Sequence, residues 1–341
     1  MVKIKIMLCV KYFLLCISSF LFFLKPTTVY GLIDPITVGV TAGAFMIGYL
    51  TDKVPYFNND CPKKFEIKDL ELDMKNSFFG QHIASKIVIS ALAGNLHRSK
   101  KNKKPIVMCF QGSSGTGKNF LSDLIASHMF NSTKSRKKRY HVINGQTAFP
   151  LQSKINDYKE KLYSDVKSAI KSCDTNLFVF DEIHYIPMGI LDILGPILEN
   201  NDVSIDSRNS IFIFLTNTGY NPILQKYLDL WNNGFSREKM TVADFDTILT
   251  KSAFNEKGGL MKSSIIDSHI IDFYVPFLPL EKVHVLQCIE AELKNLNSSL
   301  DSEAKSDILR IVPFGPEPKK LFATSGCKRL NQWITSKLYS N

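Results

Sequence analysis

Several things are missing from this 341-residue sequence. None of its seven cysteines forms a C-x-x-C pair, so the spacing that cysteine metal sites use is absent. No internal repeat is visible, which excludes a solenoid or propeller. Low-complexity tracts are absent too, and a composition 45% hydrophobic and 22% charged excludes a disordered chain. No acidic residue occurs in the first 31 positions, and no charged residue stands between Asp34 and Asp52. Arginine is absent from 238 to 309, a gap that matters below.

What is present suffices for one large domain and a small one. Lys and Arg number 42 against 32 acids, a formal charge of +10. Such a balance first suggests nucleic acid or an acidic membrane surface. Lys3, Lys5, Lys11 and Lys25 supply four of those charges, so the chain without its acid-free N-terminus carries +6. Two basic clusters, 98–104 and 134–139, fall between expected elements and read as solvated loop charges. No aromatic interleaving or RNA-binding signature accompanies them, so no nucleic-acid partner is expected.

Lys3 and Lys5 precede an apolar run at 6–24, and Val29-Tyr30-Gly31 offers a cleavage site. Residues 1–31 therefore read as a signal peptide, the alternative being an uncleaved anchor helix. Either way the chain enters the secretory pathway. Residues 32–51 contain Val38, Val40, Phe45, Ile47 and Leu50 with Gly39, Gly43 and Gly48. They read as a membrane-associated segment lying in one leaflet, against the alternative of a buried core helix. Beyond the leader five cysteines remain: Cys61, Cys109, Cys173, Cys288 and Cys327. With one unpaired, 5 × 3 = 15 arrangements are open. Cys109 lies in an apolar run and reads as a buried free thiol. Sequons at Asn131-Ser132-Thr133 and Asn297-Ser298-Ser299 fit luminal glycosylation.

Residues 52–78 are charged and turn-rich, a linker or entry segment. From 81 to 96 apolar residues recur at helical spacing: Ile83, Ile87, Val88, Leu92 and Leu96. The pattern then predicts strands at 106–110, 140–143, 177–180, 210–215 and 272–275, the last closed by Pro276 and Pro279. Helices are expected between them at 119–129, 153–170 and 190–198. Alternating strands and helices imply an α/β fold, a parallel sheet covered on both faces. After Pro279 the pattern is helical only, at 281–293, 300–311 and 328–338.

The sharpest motif is Gly112-Ser113-Ser114-Gly115-Thr116-Gly117-Lys118-Asn119. It follows an expected buried strand and opens a helix, the context a P-loop requires. Its glycines let consecutive N–H groups and the helix N-terminus face a phosphate. Lys118 would reach the β and γ phosphates. Asn119 replaces the usual Ser or Thr, and an amide oxygen can still serve Mg²⁺ directly or through water. Downstream, Leu177-Phe178-Val179-Phe180-Asp181-Glu182 is a buried strand ending in two acids. Asp181 would hold Mg²⁺ and Glu182 would polarise the attacking water. A third strand ends in Thr216-Asn217, and Asn217 stands where AAA+ ATPases place the sensor 1 group.

With these motifs in one chain, the sequence resembles the torsins, endoplasmic-reticulum AAA+ ATPases distantly related to the Clp unfoldases. The resemblance rests on Phe79-Gly80-Gln81-His82, the P-loop ending Gly115-Thr116-Gly117-Lys118-Asn119, and Phe180-Asp181-Glu182. It rests also on 212–217, Val275-Pro276-Phe277-Leu278-Pro279-Leu280 and Gly326-Cys327-Lys328, and runs from residue 33 onward. It implies that Phe79, Gly80 and Gln81 line an adenine pocket and that Lys328 is a sensor 2 cation. It implies two disulfides, Cys61–Cys173 and Cys288–Cys327. The second would either couple redox state to nucleotide geometry or act as a structural staple. ATP and Mg²⁺ as cofactors and a homo- or hetero-oligomer follow from the same likeness, as does a membrane-anchored activator whose luminal domain supplies an Arg. Clp-type rings place an Arg finger near the last strand, where this chain has Ser268 and His269. A finger contributes roughly 10³ to 10⁵ in rate, so unaided hydrolysis should be slow. The 145–150 loop lacks the aromatic-Gly pore motif of threading unfoldases, and Phe149 reads as core.

The expected plan is a signal peptide at 1–31, a hydrophobic segment at 32–51, a nucleotide-binding αβα domain at 52–279 and a small helical domain at 280–341. The expected activity is slow, activator-dependent ATP hydrolysis in protein or membrane remodelling or chaperone-like quality control. The expected place is the lumen of the reticulum and nuclear envelope, at the membrane. The alternatives are a nucleotide-gated binding or scaffold protein with little turnover, and an autonomous threading disaggregase.

Overall fold

The computed structural model describes residues 65–98 and 102–339. The leader, the 32–51 segment and Cys61 lie outside them. Among the described residues no helix is long and apolar enough to cross a membrane. The order is α1 (Ile67–Ser77), α2 (His82–Arg98), β1 (Ile106–Gly112), α3 (Lys118–Met129), α4 (Thr133–Arg139), β2 (Tyr140–Asn144) and α5 (Gly145–Ala148). There follow α6 (Ile155–Ser172), β3 (Leu177–Asp181), α7 (Gly195–Leu198), β4 (Ile211–Thr216), α8 (Tyr220–Asn232), α9 (Asp246–Asn255), α10 (Ser264–Asp267) and β5 (Phe273–Phe277). The C-terminal part holds α11 (Lys282–Asn295), α12 (Ser302–Ile311), β6 (Phe314–Gly315), β7 (Phe322–Ala323) and α13 (Leu330–Tyr339).

The five long strands form one parallel sheet in the order β2-β3-β4-β1-β5. Successive side chains point to opposite faces, so each apolar run feeds two cores. Phe178, Phe180, Phe212, Phe214, Val107 and Cys109 enter one core, against Leu162, Val166 and Ile170 of α6. Phe178 stacks on Phe212 at 4.8 Å, and Phe180 lies 5.2 Å from Phe214. Leu177, Val179, Ile211, Ile213, Met108 and Phe110 enter the other core, against Leu121 and Ile125 of α3 and Val88 and Leu92 of α2. The C-terminal helices close over a separate cluster of Val285, Ile289, Leu293, Ile308, Leu330 and Ile334.

Five expectations are corrected. The supposed linker at 52–78 contains α1, which anchors through Leu70 and Met74, one turn apart. The 134–139 cluster is helical: the Ser132 side chain accepts the Ser135 N–H at the start of α4, and four cations favour its C-terminal end. Its last residue is not a solvated charge, for Arg139 is buried and donates to Ser172 Oγ at 2.7 Å. Pro276 does not close the last strand but lies inside β5, which tolerates it because β5 is a sheet edge. The C-terminal part is not purely helical, since β6 and β7 pair antiparallel. The expected 190–198 helix is a 3-10 turn, Leu191–Leu194, followed by α7.

Candidate nucleotide site

In open α/β sheets ligands gather at the carboxyl ends of the strands. Here β1, β3 and β4 end side by side, so residues far apart in sequence meet there. The Lys118 ammonium donates to Gly112 O at 2.6 Å, Ser113 O at 2.8 Å and Asn217 Oδ1 at 2.9 Å. Asn119 Nδ2 donates to Asp181 Oδ2 at 2.7 Å. The Glu182 N–H donates to Asp181 Oδ1 at 2.8 Å. Glu182 itself takes a left-handed backbone, φ 51°, which costs about 1–3 kcal/mol in a non-glycine residue and tends to occur at functional sites. Lys118 is 7% exposed, and burial lowers its ammonium to about 7. Asp181 and Glu182 oppose that fall and Lys328 adds to it.

These groups line a cleft of about 510 Å³ together with residues of the C-terminal helices. Residues 114–119 form its floor, with Asp181, Glu182, His184 and Asn217 beside them. Phe78, Phe79 and Phe120 give an apolar wall, and Leu280, Ala291 and Leu330 face it from the helical side. Phe78 and Phe120 stack at 6.3 Å. The buried ammonium, and the Asp181 carboxylate held by the Asn119 amide N–H, suit a polyphosphate with a hard cation. The apolar wall suits a base.

Lys328 reaches the cleft from a turn that touches the P-loop. The Cys327 N–H donates to Gly115 O at 3.1 Å. A Cβ on Gly115 would collide with the Ser325 carbonyl, and one on Gly326 with Gly115 O, so only glycines permit this approach. Cys288 of α11 is disulfide-bonded to Cys327, as the resemblance implied. Cys173 is buried and also in a disulfide, while Cys109 is a buried free thiol. Asn131 and Asn297 are both exposed. Phe149 is core.

Four of the expected nucleotide residues, Gly80, Gln81, Gly112 and Ser113, are not part of the cleft lining. The buried Gln81 amide donates to Thr116 O at 3.1 Å and Leu278 O at 2.8 Å, and accepts the Leu278 N–H at 2.8 Å. It braces the P-loop against the start of the helical part. Sequence reasoning missed Phe78, Phe120 and His184, whose neighbours Phe79, Asn119 and Glu182 gave the only hint. No arginine lines the cleft among the described residues.

A P-loop on an inner strand, an acidic pair on the third strand, Asn217 after the fourth and a lysine from a helical C-terminal part define the AAA+ class of nucleotide-binding fold. Solved structures agree on that fold. The S. cerevisiae Hsp104–ADP complex matches with a TM-score of 0.58 at 18% identity, over 89% of this chain and 51% of that one. A closed-state reconstruction of Hsp104 with ATPγS and FITC casein gives 0.54 at 18% identity, with the same coverage. The chain thus spans about half the length of the Hsp104 chains it matches. In sequence, the Torsin family pattern matches residues 55–180. A Torsin-like protein of Drosophila melanogaster is 34% identical over 318 residues, 90% of this chain and 93% of that protein. A Torsin-like protein of Caenorhabditis elegans is 31% identical over 306 residues, 86% and 84% of the two chains. The chain belongs to the torsin family.

Proposed function

We propose that this chain is a luminal ATPase that takes Mg·ATP in the cleft and turns it over slowly until a partner supplies an arginine. One observation carries the reading. Lys118 meets Asn217, 99 positions away, and Asn119 meets Asp181, 62 positions away, so three motifs converge on one pocket. When bound, Mg²⁺ would neutralise phosphate charge and fix the geometry of in-line attack. Lys118 and the amides of 112–119 hold the phosphates, and Asn119 and Asp181 serve the metal. Glu182 orients the attacking water and draws its proton. Asn217 holds Lys118 in place and stands where it can read the γ phosphate. Lys328 adds positive charge from the helical side, and its turn already rests on Gly115.

The arginine gap at 238–309 and the absence of Arg from the described lining support dependence on a partner. A membrane-anchored luminal domain carrying that Arg fits the torsin relationship, as does assembly into homo- or hetero-oligomers. The basic apolar leader, the disulfide and the exposed Asn131 and Asn297 support a lumen of the reticulum or nuclear envelope, with 32–51 holding the chain at the membrane. Remodelling of proteins or membranes is the role in keeping with this. The same lack of Arg favours one other reading, a nucleotide-gated scaffold with little turnover. ATPase rates of the full chain, alone and with luminal domains of candidate membrane proteins, separate the two. Stimulation that Glu182→Gln abolishes supports the enzyme. Stimulation that survives Glu182→Gln refutes the catalytic assignment, and no stimulation by any domain favours the scaffold.

A further inference from the structure

Arg237 is the last arginine before the Arg-free stretch, yet its surroundings forbid use as a finger. It is 5% exposed, in a 3-10 turn, Arg237–Lys239. Nε donates to Gly80 O at 3.0 Å, and Nη2 donates to the same oxygen. Nη1 donates to Pro279 O at 2.9 Å and lies 3.3 Å from Glu281 Oε1. The Tyr227 ring lies 5.4 Å beneath the guanidinium, and its hydroxyl donates to the same Glu281 oxygen. Only a planar fork of several donors serves three acceptors in this way, and an ammonium does not reproduce it.

Those acceptors belong to segments on both sides of the cleft. Gly80 follows Phe79, which lines the cleft, and precedes Gln81, which braces the P-loop. Pro279 and Glu281 flank the passage from β5 into α11. That helix carries Cys288, and through the disulfide it carries the turn bearing Lys328. The His284 ring, from the first turn of α11, packs on Gly80 so closely that no Cβ would fit. His284 Nδ1 also accepts the Glu281 N–H at 3.1 Å.

We propose that Arg237 is the positioning residue that couples occupancy of the cleft to the setting of α11 and the C-terminal helices. The inference rests on the reading that the cleft takes ATP. A base settling on Phe79 would shift Gly80, and the Gly80 carbonyl cannot leave Arg237 without taking from the buried Nε and Nη2 the oxygen they both serve. Arg237 therefore moves with it and carries Glu281, the residue that opens α11.

The test is amide hydrogen exchange of the full chain with and without Mg·ATP, alongside fluorescent-ATP affinity and melting temperature. The wild type should gain protection at 112–119 and in α11 together. Arg237→Lys should weaken ATP binding about tenfold. At saturating ATP it should keep protection at 112–119 while α11 no longer responds. Glu281→Ala, which leaves the Gly80 contacts intact, should lose the α11 response with affinity largely kept. A merely structural role would lower the melting temperature and leave the α11 response in place. ATP-induced α11 protection retained in both variants therefore overturns the inference. If Arg237→Lys does not fold, Glu281→Ala decides alone by the same criterion. A wild type that binds no ATP refutes the nucleotide reading, and this inference with it.

Discussion

Lys118→Met should abolish nucleotide binding and yet stabilise the nucleotide-free protein. The side chain is 7% exposed, and burial takes its ammonium from 10.5 to about 7. That displacement corresponds to roughly 5 kcal/mol against the charged form. Methionine keeps the approximate length and removes the charge. Its cost is the donor lost by Gly112 O, Ser113 O and Asn217 Oδ1, about 0.5–1.5 kcal/mol for each. The balance is a gain of roughly 0.5–3.5 kcal/mol at pH 7. The sign of the pH dependence follows from linkage. Between about 7 and 10.5 the unfolded chain holds a proton on this lysine and the folded chain does not. Wild-type stability therefore rises with pH, by up to about 1.4 kcal/mol per unit. The methionine variant has no such slope, so its advantage should shrink steadily and close by about pH 9.5. Urea unfolding of both proteins without nucleotide at neutral and alkaline pH measures this directly. A wild type that is the more stable at pH 7, or a gap that does not narrow with pH, refutes the reasoning.

Gly115→Ala places a methyl against the Ser325 carbonyl at φ +77°, so it should cost about 1–3 kcal/mol and detach the Cys327 amide. A lower melting temperature and faster exchange of that amide would register it. Cys109 sits inside β1, fully buried, and burial pushes its thiol well above the usual range. Native alkylation should therefore proceed only through unfolding, at a rate that climbs with denaturant; rapid labelling of folded protein would contradict the placement. Burial lowers His284 to about 4 from 6.5. In that window the unfolded chain takes up a proton that the folded chain refuses, so stability falls as pH drops from 6.5 towards 4. His284→Gln should flatten this acid limb in denaturation midpoints while its amide oxygen still accepts the Glu281 N–H.

The sheet was legible because 106–112, 177–181 and 211–216 are short, apolar and bounded by turn residues, and three of the motifs sit at their ends. A buried parallel strand needs no longer-range information than that. By contrast, α1 buries only Leu70 and Met74 among charged neighbours, so its periodicity hardly rises above the background. In α4 the sequence Thr133–Arg139 has no apolar face, and the helix depends on Ser132 and the cations near its end. β6 and β7, two residues each, are too short for any period to show. Within the site, the P-loop, Asp181, Glu182 and Asn217 were readable, since local backbone chemistry dictates them. Gln81 was expected in the pocket wall on the torsin resemblance alone, and its bracing role could not be read because its partners Thr116 and Leu278 are brought to it by tertiary packing. Arg237 gave no local sign at all, for its partners lie 157 and 42 positions away.

The central claim is that the cleft lined by Lys118 and Asn217 is the nucleotide site. Calorimetric titration of Mg·ATP into the purified full chain tests it most directly. One site per chain, lost in Lys118→Met and retained in Glu182→Gln, is the predicted result. Absence of binding to the wild type, or undiminished binding in Lys118→Met, would contradict it.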